Sequence, residues 1–203
     1  MKITTLKNPA TSKFKEKESL FIGKAFRVDS EKEAENILEG IRKEFYNATH
    51  HCYAYKILPN IEKYSDDGEP SGTAGIRLLN AINHFSLTNV IIISIRFFGG
   101  KKLGVGPLGK AYYKSGLETL EKAEKIELKE FIKVSVQYDF NQTKNIHHFL
   151  QKYGTIIKEN LFEEKPKIIF LIEKESFPPF AEEISTATNR TIEIMKEGEI
   201  FFI

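Results

Sequence analysis

The sequence predicts an α+β protein of two domains, and three features of the chain carry that prediction. Short β-branched and aromatic runs alternate with segments of helical period, so strands and helices are interleaved. Glycine, proline and aspartate collect between them, chiefly at 59–72 and 99–109, where the chain must turn. The last third then follows the order β-α-β-β-α-β of a ferredoxin-like sandwich. At 203 residues the chain is long enough for two small cores. The segment EKIELKEF at 124–131 is read as the junction, giving domains over 1–128 and 129–203.

After a polar start, SLFIGKAFRV (19–28) has the composition of a strand. Ser30 followed by Glu33 forms a capping box, and Ala34, Ile37, Leu38, Ile41 and Phe45 recur at helical spacing, so 31–45 is an amphipathic helix. HHCYAYKIL (50–58) is an aromatic-rich strand, and 59–72 is a loop. A helix follows over 73–85, with Ser71 or Thr73 as its cap. Val90–Ile95 is short, β-branched and nearly all apolar, which fits a central strand covered on both faces. The helix over 108–125 packs through Tyr113, Gly116, Leu117, Leu120 and Ala123, with Glu118–Lys122 and Glu121–Lys125 on its wet side. Beyond the junction, IKVSVQY (132–138) alternates strictly, as a strand over one core does. Asn141 caps a helix that Gly154 ends. Strands at 155–162 and 167–173, a helix from Pro178 to about 188, a strand at 191–196 and an edge segment at 199–203 complete the order.

Composition excludes several classes. Cys52 is the single cysteine, so no internal disulfide forms and structural zinc lacks its ligands. The first residues show no apolar core of a secretion signal, and no run approaches a membrane span, so a cytoplasmic location is expected. The net charge of +2 is unevenly placed: residues 1–125 hold 20 Lys+Arg against 15 Asp+Glu, and residues 126–203 hold 10 against 13. A polyanionic partner would meet the first half.

Three polar stretches of that half carry candidate chemistry. In Arg96 to Lys110, the arginine offers a rigid fork of donors for phosphate or carboxylate. Gly99 and Gly100 permit close backbone approach, Gly104, Gly106 and Gly109 allow a tight entry to the following helix, and Lys101, Lys102 and Lys110 add positive charge. Gly109-Lys110-Ala111 is not a Walker motif, since the residue after the lysine is neither Ser nor Thr. The structural alternative is that these glycines allow a tight helix–strand crossing while Arg96 pairs with Asp66, Asp67 or Glu69. In Ser65 to Gly75, Asp66 and Glu69 are candidate magnesium ligands, although Asp-Asp-Gly is equally turn chemistry. In 47–53, His50 and Cys52 face one way and His51 the other. Cys52 is a conceivable nucleophile, and more simply a small buried hydrophobe.

The runs HHCYAYKI, SDDGEPSGTAG and VIIISIRFFGGKKLGVGPLGKAY, in that order, resemble the YigZ/IMPACT family with its I-R-[FY]-[FY]-G-G-x-x-L-G signature. With the C-terminal βαββαβ segment, the resemblance is to the bacterial two-domain form. It implies a first domain similar to domain 2 of ribosomal protein S5, as in domain IV of elongation factor G, and a second similar to that factor's domain V. The family's polar patch maps onto His50, His51, Asp66, Asp67, Gly68, Glu69, Pro70, Gly72, Thr73, Arg96, Gly99, Gly100, Gly104 and Lys110. Pro107 stands where many members have glycine, and Gly109 where they have a branched residue. Pro107 has no N–H, so one backbone donor of an anion site is missing here.

The expected function is a nucleic-acid or ribosome-associated accessory protein, with a role in translation regulation implied by the eukaryotic relatives. Arg96, Gly99, Gly100, Lys101, Lys102, Gly104, Lys110, His50 and Thr73 are its expected phosphate-binding residues. The alternative is an enzyme on a nucleotide or small phosphorylated substrate, with His51 or Asp67 as base, Arg96 as clamp and magnesium on Asp66 and Glu69. The third class is a regulatory module that binds a protein. No organic cofactor is expected.

Overall fold

The computed structural model describes residues 1–162 and 164–203. It is a mixed α+β structure built from two sheets and five helices. In chain order the elements are β1 (Lys2–Leu6), β2 (Ala10–Glu16), β3 (Ser19–Arg27), α1 (Glu31–Glu44), β4 (His50–Ile57), β5 (Ile61–Ser65), α2 (Gly75–His84), β6 (Val90–Phe97) and α3 (Val105–Lys122). There follow β7 (Lys125–Gln137), α4 (Thr143–Lys152), β8 (Ile156–Phe162), β9 (Pro166–Glu173), α5 (Phe177–Ala187) and β10 (Glu193–Phe202). The chain divides into two compact units, Ile3–Glu127 and Met1–Lys2 with Leu128–Ile203.

The larger unit is a five-stranded sheet in the order β2-β3-β6-β4-β5, with antiparallel neighbours throughout. β6 is central because both of its faces are apolar: Ile92 meets the core under α2 and α3, while Ile91, Ile93 and Ile95 meet the core under α1. The capping box of α1 forms with a shift of one residue. Ser30 Oγ accepts from the Glu33 N–H at 3.2 Å, while the Glu33 carboxylate accepts from the N–H of Asp29 at 2.8 Å.

Several expectations are corrected. The polar start contains β1 and β2, whose inward positions include Thr5 and Ser12 and so hide the apolar alternation. Ile61–Ser65, read as loop, is the edge strand β5, whose side chains are mostly exposed and leave no period to see. Helix α3 begins at Val105, and its buried side is wider than expected. Leu108, Tyr112, Ser115 and Thr119 are buried beside Gly116 and Leu120, Ala123 is buried after it, and Tyr113 and Leu117 pack partly buried against the same core. Glu118 meets Lys114 rather than Lys122, and Lys125 Nζ donates to the carbonyls of Leu120 and Ala123.

Ser12 Oγ and Thr119 Oγ1 lie 2.6 Å apart in a buried seam between β2 and α3, and Ser94 Oγ and Ser115 Oγ lie 2.8 Å apart between β6 and α3. A Cβ on Gly23 would stand 2.0 Å from Thr119 Oγ1 and 2.9 Å from Ser12 Oγ. Gly23→Ala is therefore expected to cost about 1–3 kcal/mol by overpacking. The check is a lower urea midpoint at unchanged slope.

The smaller unit carries the strand order β7-β9-β8, with β10 also paired to β7. Val134, Val136, Ile168, Phe170 and Ile172 form its core with Ile146 and Leu150 of α4 and Phe180 and Ile184 of α5. The two units divide between Glu127 and Leu128, inside the stretch 124–131 read as the junction, and from Lys125 onward that stretch has strand conformation. Asn141 lies in a 3₁₀ turn and does not cap α4; the Thr143 hydroxyl closes that turn on the Phe140 carbonyl at 2.7 Å. The segments 191–196 and 199–203 belong to one strand, β10, with a register shift between Lys196 and Ile200. Among the described residues, no helix is long and apolar enough to cross a membrane.

Candidate functional site

Register across the central strand sets the site. Arg96 of β6 lies opposite Phe21 of β3 and His50 of β4, so the three side chains share the face beneath α2 and α3. Arg96 is only 4% exposed, and a buried charge needs a partner. Its Nη1 donates to Glu69 Oε1 at 2.6 Å, and Nε and Nη2 donate to Ser19 Oγ at 3.3 and 3.0 Å. The rings of Phe21 and Phe98 lie 5.5 and 5.3 Å from its Cζ. Glu69 Oε1 also accepts from the Tyr112 hydroxyl at 2.7 Å. Burial pushes the Tyr112 phenol up, so it stays a neutral donor. The arginine is thus held by a carboxylate of its own chain.

The acidic loop divides its three carboxylates among different tasks. Asp66 Oδ1 accepts from the N–H groups of Ala74 and Gly75, and Oδ2 from that of Gly72, each at 2.8 Å. It caps α2 from a distance, the task expected of Ser71 or Thr73. The Thr73 hydroxyl donates instead to the Pro70 carbonyl at 2.6 Å. Asp67, at φ 43°, accepts the His51 N–H on Oδ2 at 2.6 Å and Arg42 Nη2 on Oδ1 at 3.0 Å. Asp66 and Glu69, the expected magnesium pair, therefore hold backbone amides and a guanidinium. Among the described residues, no group of three or more His, Cys, Asp or Glu is placed to hold a metal ion.

The two histidines stand on opposite faces. His50 Nδ1 lies 2.8 Å from the Asp67 carbonyl, which can only accept, so the proton is on Nδ1. His51 Nε2 lies 3.1 Å from the Phe45 carbonyl on the α1 side, and its Nδ1 is 3.9 Å from Asp67 Oδ2, beyond hydrogen-bond range. The sheet separates His51 from Arg96. Cys52 donates its S–H to the Asp66 carbonyl at 3.0 Å, and burial pushes its thiol up, away from the thiolate a nucleophile needs.

The glycine-rich segment closes the site. A Cβ on Gly99 would stand 1.9 Å from the Glu18 carbonyl oxygen, so this glycine serves the β2–β3 turn. Gly104 has φ 89° at the entry to α3, a conformation that favours glycine. Two depressions flank that entry and share Val105. The first, about 360 Å³, is lined by His50, Glu69, Pro70, Arg96, Phe98, Lys102, Leu103, Gly104 and Leu108 among others. The second, about 490 Å³, is lined by Ser71, Gly72, Thr73, Arg77, Gly109, Lys110 and Tyr113 among others.

Comparison with known proteins places the chain in a family. A family model described as the Impact N-terminal domain matches residues 17–120. The chain belongs to the IMPACT family. The IMPACT family member YvyE of Bacillus subtilis is 35% identical over 187 residues, covering 91% of this chain and 86% of its own. The family member YigZ of Escherichia coli is 32% identical over 152 residues, covering 71% and 73%. A solved structure titled as a hypothetical protein shares the fold, with a TM-score of 0.74 at 23% identity and 98% coverage of both chains.

The stretch shared with the IMPACT family holds every candidate site residue. The structure brings His50, Glu69, Arg96, Lys102 and Gly104 into the first depression, and Thr73 and Lys110 into the second. Among the residues lining these two depressions, His51, Asp66, Asp67, Gly99, Gly100 and Lys101 are absent. Sequence reading misses Arg77, Phe98, Ser19 and Tyr112. Arg77 reads as a solvated helix residue, and its one signal is that it follows Gly75 by two positions at the start of α2.

Proposed function

We propose that this IMPACT family protein is a nucleic-acid or ribosome-associated accessory protein in translation regulation, holding phosphate-bearing partners on its larger unit. One observation carries the reading. Arg77, Lys101, Lys102 and Lys110 make no ion pair or hydrogen bond among the described residues, and three of them line the two adjoining depressions. Lys24, Arg42 and Lys63 of this unit are neutralised by Glu44, Asp67 and Glu35. Other lysines, such as Lys13, Lys15 and Lys43, are unpaired as well among the described residues, and what distinguishes Arg77, Lys102 and Lys110 is that they gather at the two depressions. A cluster left unpaired raises the local concentration of polyanions. The buried Arg96 shapes the floor, and the exposed cations meet the phosphates. The resemblance of the two units to domain 2 of ribosomal protein S5 and to domain V of elongation factor G supports the same reading, as does the role of the eukaryotic relatives in translational control.

Anisotropy titration of labelled single-stranded RNA over a salt series tests it. Three or four phosphate contacts give a slope of about −2 to −3 in log affinity against log salt. The double variant Arg77→Glu, Lys110→Glu is expected to weaken binding at least about tenfold and to flatten that slope by about one or more. Absence of binding at about 50 mM salt, or a double variant that binds like the parent, counts against the proposal.

A further inference from the structure

The first depression has a floor whose hydrogen-bonding capacity is only partly used. The Glu69 side chain is 4% exposed, and its partners, Arg96, Tyr112 and the more distant His50, all lie against Oε1. No buried side-chain nitrogen or oxygen lacks a partner among the described residues, so Glu69 Oε2, which makes no bond, keeps some accessible surface, and Glu69 lines this depression. His50 gives its Nδ1 proton to the Asp67 carbonyl, and in the tautomer that carries this single proton Nε2 is the accepting nitrogen. That nitrogen sits 3.7 Å from Glu69 Oε1, with no donor between them. Arg96 uses three of its N–H groups on Ser19 and Glu69, so each terminal nitrogen keeps one hydrogen. The floor therefore presents two acceptor groups, Glu69 and His50, beside one donor group, Arg96. Its walls are apolar, from Pro70, Leu103 and Leu108, and the Phe98 ring is 41% exposed at one side.

We propose that this pocket binds a guanine base. A flat heterocycle fits apolar walls with an open aromatic face, on which bases stack irrespective of sequence. The floor then selects. Guanine has two N–H groups and one carbonyl along its pairing edge, which complement two acceptors and one donor. Adenine, cytosine and uracil each offer a single donor position on that edge. The second depression meets the first at Val105 and holds Arg77 and Lys110, so the sugar-phosphate of the same nucleotide extends into it. The placement of the phosphate rests on the function proposed above; the recognition of the base rests on the floor alone.

Calorimetric titration of the full chain with GMP, IMP, AMP, CMP and UMP tests the inference. GMP is expected to bind about tenfold or more tightly than AMP, CMP or UMP, the order that one satisfied buried hydrogen bond supplies. IMP, which lacks the exocyclic amine of guanine, is expected to fall between. Glu69→Gln should abolish the preference. Because Glu69 is buried against Arg96, Phe98→Ala is tested beside it: this exposed ring should lower GMP affinity about tenfold without unfolding the unit. Equal affinity for all five nucleotides, or a Phe98→Ala protein that binds GMP like the parent, overturns the guanine site. If RNA still binds with its salt slope, the phosphate reading stands without it. GMP selectivity in a protein that does not bind RNA supports the pocket and removes the wider function.

Discussion

Replacing Arg96 by alanine is expected to destabilise the larger unit by about 3–5 kcal/mol, the range for breaking a buried ion pair from one side. The reason is what stays behind. Glu69 would remain 4% exposed, with the Tyr112 hydroxyl as its one neutral donor, and a buried carboxylate without a countercharge is costly. Ser19, fully buried, would lose both of its guanidinium contacts. Lysine is no remedy, because a single ammonium cannot reach Ser19 and Glu69 in the planar arrangement of the fork. The paired replacement Arg96→Met, Glu69→Leu should recover most of the loss, since removing both charges removes the desolvation cost as well. Urea unfolding followed by circular dichroism reads both variants. A loss under about 1 kcal/mol for Arg96→Ala would mean that the pair behaves as a wet surface bridge.

This cycle also separates structure from function at the site. Arg96 and Glu69 fix the loop that carries Pro70, Ser71 and Gly72, and that loop lines both depressions. If the paired apolar variant folds but no longer binds its ligands, the floor chemistry is the functional element. If it folds and binds RNA unchanged, the exposed cations alone are.

How much of this is legible in the chain depends on which face a residue turns to. The central strand is readable because Val90–Ile95 is apolar on both faces, which only a doubly covered strand tolerates. Helix α1 is readable because its cap and its apolar stripe agree. Strand β2 is not, since its inward residues Ala10 and Ser12 are small or polar, and Ser12 is satisfied only by Thr119, 107 residues away. At the site, the sequence offers three acids as partners of Arg96, as the alternative to a bound anion, without showing which one turns in. That choice is made by backbone geometry: φ is 43° at Asp67 and 85° at Gly68, which turns Asp67 toward β4 and Arg42 and carries Glu69 under Tyr112. The period of two in β4 correctly parts His50 from His51, so the sheet itself stands between the expected base and the arginine. Phe98 and Arg77 look ordinary in sequence because their importance comes from neighbours that they acquire only on folding.

Asp66→Ala is the second substitution expected to act strongly, with a loss of about 3 kcal/mol, more than a single side-chain cap contributes because three amides lose their acceptor at once. Helix α2 begins at Gly75, and Ala74 at its N-cap position brings no side-chain oxygen of its own. The entry to the helix is also too crowded for water to replace the carboxylate freely: a Cβ on Gly75 would lie 2.7 Å from the backbone of Ser65. Asp66→Asn is expected to lose less, since its amide oxygen still accepts from Ala74 and Gly75 while its NH₂ faces the Gly72 N–H. The loss should be local in its first effect. Amide exchange is expected to rise first over 72–78, the first turn of α2 and the loop before it, and only later in β6. Because Gly72, Thr73 and Arg77 line the second depression, Asp66→Ala should weaken phosphate binding even under conditions where the unit remains folded. A variant with unchanged exchange at Ala74 and Gly75 would show that the carboxylate does not hold the helix start, and that the geometry of both depressions is set elsewhere.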